Sequence, residues 1–181
     1  MLYIIGGVPR VGKSIISRRL TKDFGIPCFS TDLLVTVLEQ APNYKIKHGQ
    51  PFISKAKKLW KFFEPLSTHI IYGGEDYVLE GDGILPMQIF KLQKKFPKKV
   101  KACFIGIRKE NKNEKFKIIR QWEHLPGGDW TKRYPDKDLL KIINKMIITS
   151  TYLQKECMKY ELPYFEEKFD ALYEEVKKVF L

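Results

Sequence analysis

The chain has 181 residues, a length that suits one domain. Hydrophobic residues make up 44% of it, enough for a sizeable core and too many for global disorder. The formal charge of +12 favours anionic ligands, but most of the excess is lysine and only Arg10, Arg18, Arg19, Arg108, Arg120 and Arg133 are arginines. Spread lysine reads as a solvated face, which points to small phosphate-bearing ligands rather than a polynucleotide groove.

No apolar run approaches the roughly 20 residues of a membrane span. The chain starts directly on a core-like strand with no leader pattern, so the expectation is a cytoplasmic protein that binds no membrane. Cys28, Cys103 and Cys157 form no C-x-x-C pair and read as small core residues.

In chain order, short apolar runs alternate with helical patterns. Leu2–Ile5 reads as a strand, followed by a glycine-rich turn and a helix over about 13–23. Strands at Pro27–Ser30, Tyr77–Glu80, Lys101–Ile107 and Leu162–Phe165 alternate with helices near 32–40, 54–72, 85–96, 112–123 and 136–160. A last helix covers about 168–180. The strands show little polar alternation, as expected when both faces are buried. This alternation predicts a three-layer α/β/α domain with a parallel sheet and right-handed crossovers.

The turn, Gly7-Val8-Pro9-Arg10-Val11-Gly12-Lys13-Ser14, matches G-x-x-x-x-G-K-[ST] at every fixed position. Its glycines let backbone N–H groups face phosphate oxygens. The following helix, with Ile15 just past the motif, adds free amide donors and a positive dipole end. Lys13 is the expected bridge to the β- and γ-phosphates, and Ser14 an expected Mg²⁺ ligand. ATP and Mg²⁺ are therefore the expected cofactors.

Carboxylates stand where other strands end. Asp32 follows the second strand. Glu80 ends the third, like the acid that closes a Walker B strand, and Asp82 comes two residues later. Either acid of the second pair suits an orienting role on Mg²⁺. Asp32 suits a base, or a carboxylate that holds the acceptor hydroxyl. Helix capping is the competing reading for both aspartates, with Ser30 or Thr31 as other caps near Asp32.

Two excursions leave the regular frame. Residues 41–53 offer Tyr44, Lys45, Lys47 and His48 to an anionic acceptor. Residues 109–135 read as a lid, with Pro126-Gly127-Gly128 as hinge. Arg120 is the preferred arginine for the phosphates, with Arg108 and Arg133 also in or beside the lid. Trp130 reads as packing, or as a base-stacking ring.

The glycine loop, the STD after the second strand and the EG ending the third are together similar to P-loop small-molecule kinases of the adenylate kinase-like and 2-phosphoglycerate kinase-like type. That resemblance implies the P-loop NTPase fold with a five-stranded sheet in the order 2-3-1-4-5. It also implies ATP–Mg²⁺ use, a carboxylate facing the acceptor and an arginine-bearing lid. The expected activity is transfer of phosphate from ATP to a small hydroxyl- or phosphate-bearing acceptor, such as a nucleoside, nucleotide or phosphorylated metabolite. The alternative is an ATPase or nucleotide switch acting on a protein or nucleic acid.

Overall fold

A computed structural model describes residues 1–41, 43–122, 130–168 and 171–181. Five strands, β1 (Leu2–Gly7), β2 (Cys28–Ser30), β3 (Tyr77–Gly81), β4 (Val100–Gly106) and β5 (Tyr164–Glu166), form one sheet. All described pairings are parallel and the order is β2-β3-β1-β4-β5, as expected. Seven helices are described: α1 (Lys13–Phe24), α2 (Thr31–Gln40), α3 (Phe52–Gly73), α4 (Pro86–Lys95), α5 (Lys112–Trp122), α6 (Asp136–Lys159) and α7 (Leu172–Phe180). A short 3-10 turn covers Trp130–Arg133.

The sheet is sandwiched. Leu2, Ile4 and Ile5 of β1 and Cys103, Phe104 and Ile105 of β4 have no exposed surface. Strands buried on both faces cannot alternate polar and apolar residues, which accounts for their continuous apolar runs. α1 and α7 share one face, joined where the Tyr173 hydroxyl donates to Asp23 at 2.7 Å. α4 packs with α6 and β4. The Gln88 amide of α4 donates to the Ala56 carbonyl of α3 at 3.0 Å. Cys103 and Cys157 are fully buried, all three cysteines are free, and burial pushes the Cys157 thiol up to about 12. Cys103 and Cys157 are inert core thiols, as the sequence suggested, while Cys28 is half-buried against the core. Among the described residues, no helix is long and apolar enough to cross a membrane.

Sheet register is what assembles the site. Ser30 pairs with Glu80, Glu80 with Ile5, and Gly6 with Gly81. The C-terminal ends of β2, β3 and β1 therefore lie level, and the three segments that follow them open on one edge. Ligands bind at that edge in open α/β sheets.

Residues 43–51 form turns and irregular chain, pinned by Ile46, which is buried among Val35, Leu38 and Leu59, while Phe52 and Ile53 of the expected excursion begin α3. The arm after β4 comprises α5 and the 3-10 turn. The hinge read at Pro126-Gly127-Gly128 lies outside the described residues.

Candidate active site

The phosphate loop leaves β1 at Gly7, where a side chain cannot fit: an added Cβ would stand 2.1 Å from the Ile105 carbonyl oxygen. At Gly12, φ is +80°, in the left-handed region that glycine enters at little cost. No side chain caps the start of α1. The loop thus delivers an uncapped helix N-terminus, the arrangement that receives anions.

Lys13 is buried, and its ammonium donates to the Val8 carbonyl at 2.6 Å. Its side chain arches back over the loop. Burial lowers its pKa, while Asp82, Glu80 and Asp32 oppose that shift. Three carboxylates therefore stand in electrostatic range of the ammonium. The Ser14 hydroxyl donates to Glu80 Oε1 at 3.0 Å. Glu80 is buried at 3% exposure, while Ser14 is exposed, so their oxygens meet at the cleft wall.

Asp32 occupies the first turn of α2. The Ser30 hydroxyl, not Asp32, caps this helix, accepting from the Asp32 backbone N–H at 3.3 Å. The Asp32 carboxyl is left for the cleft. Desolvation by the cleft walls, and then the Asp82 carboxylate, push its pKa up to about 7. Asp32 is nonetheless solvent-exposed, so water screens part of that push.

Asp82 caps no helix either, because the N-cap of α4 is Leu85. Its Oδ2 accepts from the Lys55 ammonium at 2.6 Å. Burial alone would raise Asp82, but Lys55 outweighs it and holds the carboxyl below its usual range. Oδ1 of Asp82 is buried without a protein partner. The two carboxyls titrate as a pair, in which Asp32 is the one pushed towards its protonated form.

Lys55 escaped the sequence reading. It sits on α3 with only 2% of its side chain exposed. The signal was its place on the apolar stripe of that helix, beside Ala56 and one turn before Leu59. Lys115 and Glu167 were missed for the same reason. Lys115 lies one turn before buried Ile119 on α5, and its ammonium pairs with Glu167 just past β5.

The expected arginines have protein partners. Arg120 donates to Asp136 Oδ1 at 2.7 Å and to the Tyr134 carbonyl at 2.7 Å, tying α5 to the start of α6. Arg108 donates to Glu166 at 3.2 Å. Exposed Arg133 lies over the Tyr134 ring at 5.3 Å. Trp130 packs edge-on against Tyr134, the packing alternative of the two readings. His48 shares a hydrogen bond of 3.0 Å with Thr36, and Tyr44 stacks edge-on against Phe62. Lys45 and Lys47 are exposed.

An exposed hydroxyl beside a buried carboxylate supplies hard oxygen donors, and no group of three or more His, Cys, Asp or Glu side chains forms a metal cage among the described residues. That donor set fits Mg²⁺, which typically takes one or two protein oxygens plus phosphates.

No family model matches the chain, and no curated protein matches it by sequence. Solved structures do. Shikimate kinase from Bacteroides thetaiotaomicron aligns with a TM-score of 0.59 at 11% identity, over 98% of this chain and 94% of its own. A gluconokinase from Sinorhizobium meliloti 1021 aligns at 0.55 with 13% identity, over 98% and 87%. Shikimate kinase from Acinetobacter baumannii, in complex with shikimate, aligns at 0.55 with 12% identity, over 99% and 90%. At such identities the likeness is one of architecture, and function rests on the site. The chain has the fold of the P-loop small-molecule kinases.

Proposed function

We propose that the chain is an ATP–Mg²⁺-dependent phosphotransferase acting on a small hydroxyl- or phosphate-bearing acceptor. The observation that carries this reading is the placement of Asp32: uncommitted to capping, open to solvent, and in range of Lys13 at the phosphate loop. A carboxyl with a pKa near neutrality is tuned for proton transfer at working pH, which favours a hydroxyl acceptor. Named kinases of small molecules among the fold neighbours support the same reading.

In this account the backbone N–H groups of residues 7–14 and the start of α1 cradle the phosphates. Lys13 exchanges the Val8 carbonyl for phosphate oxygens. Ser14 and Glu80 hold Mg²⁺, which when bound neutralises charge on the phosphates as a Lewis acid. Asp32 accepts the proton of the acceptor hydroxyl as that oxygen takes the γ-phosphoryl group and the nucleoside diphosphate leaves. Lys55 keeps Asp82 ionised. Arg120 would reach the phosphates only by exchanging its present partners, and we assign it, Arg108 and Arg133 no step.

The test is ATP turnover without acceptor, then with a panel of nucleosides, nucleotides and phosphorylated or hydroxylated metabolites. Turnover that depends strongly on one acceptor class is the expected result. Vigorous hydrolysis that no acceptor increases overturns the reading in favour of an ATPase or switch.

A further inference from the structure

Arg10 sits within the phosphate loop with φ of +60°, a left-handed conformation uncommon for a residue with a side chain. Its carbonyl oxygen accepts a hydrogen bond of 2.9 Å from the Lys115 ammonium. The same ammonium pairs with Glu167. Both side chains are almost wholly buried, at 2% and 4% exposure. The backbone of Glu167 is itself anchored, its N–H donating to the Gly106 carbonyl at 2.8 Å. One buried ammonium thus joins three segments far apart in sequence: the phosphate loop, helix α5 and the residue that follows β5.

The grip on Arg10 has a geometric consequence. A trans peptide is planar, with its carbonyl and N–H pointing in opposite directions. A carbonyl fixed on Lys115 turns the N–H of Val11 away from Lys115. A phosphate loop works only if successive N–H groups keep a common direction. A left-handed turn outside glycine relaxes unless something holds it, and Lys115 supplies that hold.

On the phosphotransferase reading above, we infer that Lys115 and Glu167 are positioning residues, a buried strut that fixes the phosphate loop in its anion-binding shape and couples nucleotide affinity to α5. Lys115 touches the loop backbone rather than the nucleotide. Its loss therefore lowers affinity without removing any group that contacts the reacting atoms. The acceptor side, built by Asp32, Asp82 and Lys55, keeps its own contacts.

The test uses the full chain. Lys115→Met with Glu167→Leu replaces the ion pair by apolar groups of similar size, a change that buried pairs often tolerate in stability. Glu167→Gln is the milder companion. Mg·ATP and, in parallel, inorganic tripolyphosphate are titrated by calorimetry, and thermal midpoints are recorded without ligand. The strut predicts that the folded double variant binds both ligands about tenfold or more weakly, because sub-ångström misplacement of a binding element is costly. It also predicts that KM for ATP rises while KM for the acceptor holds. Should the double variant fail to fold, Glu167→Gln must show the same split at about threefold. A folded variant that binds both ligands like the parent overturns the strut alone. A parent that binds tripolyphosphate but not Mg·ATP overturns the nucleotide reading and leaves the strut to be judged on tripolyphosphate. A parent that binds neither overturns both.

Discussion

The Ser14 hydroxyl donates to Glu80 Oε1 across 3.0 Å, joining the first turn of α1 to the end of β3. The Ser14 hydroxyl faces solvent and does not need this bond, whereas the buried Glu80 carboxylate gains a donor from it. The contact holds two hard donors together beside the phosphate loop. Ser14→Ala and Glu80→Gln should each lower Mg²⁺-dependent turnover by about 10²–10³-fold, the scale of losing an electrostatic contact to the reacting group. Thermal midpoints should move little for Ser14→Ala. Metal titration of turnover checks this, with the half-saturating Mg²⁺ concentration rising in both variants.

Asp32 yields a pH prediction. As a base it must be ionised, and its pKa stands at about 7. Turnover should rise with pH through about 7 and then level off. Asp32→Asn should reduce turnover by about 10²–10⁴-fold with Mg·ATP affinity unchanged. Stability should respond in the opposite sense. A carboxyl whose folded pKa is raised favours the folded state below its unfolded pKa, and that contribution is lost as pH rises through about 7. Asp32→Asn should therefore be more stable than the parent at pH 8, with the gap closing towards pH 4. Water at this exposed position screens part of the effect, so the gap in thermal midpoint should be small. Paired melts at the two pH values check the sign.

Much of this site was legible because it is local. The phosphate loop is eight consecutive residues with fixed spacing, and Asp32 and Glu80 sit at strand ends that periodicity locates within a residue or two. The parallel sheet followed from the alternation of strands and helices, and its order from the family resemblance. Lys55, Lys115 and Glu167 were not legible, because their partners lie 27, 105 and 52 residues away. In a chain this rich in lysine, two buried ammonium groups look like surface until the helices dock. The apolar stripes they interrupt were the available clue: a long charged residue among Ala56, Leu59 and Phe63 is rare without a buried partner. The partners of Arg120 were hidden for the same reason. Its neighbourhood of Phe116 and Ile119 was read correctly as a helix, but sequence spacing does not disclose that Asp136 meets it.

Lys55→Met should destabilise the fold because it leaves Asp82 buried without its hydrogen-bonded counter-charge. Breaking such a pair costs about 3 kcal/mol, which is about 6–12 °C in the thermal midpoint for a chain of this size. Asp82 is held below its ordinary pKa in the parent, so the pair stabilises at neutral pH and its contribution fades as pH falls through that lowered value. The deficit of Lys55→Met should accordingly shrink in acid. Adding Asp82→Asn should recover part of it at pH 7, and melts of the single and double variants decide this.

The central claim is that residues 7–14 hold the phosphates of a nucleoside triphosphate, with Lys13 as the loop's mobile cation. Calorimetric titration of Mg·ATP into the parent and into Lys13→Ala tests it most directly. The account predicts saturable binding of one nucleotide per chain and a loss of at least about tenfold in affinity in the variant. A Lys13→Ala protein that folds and binds Mg·ATP as tightly as the parent would contradict it.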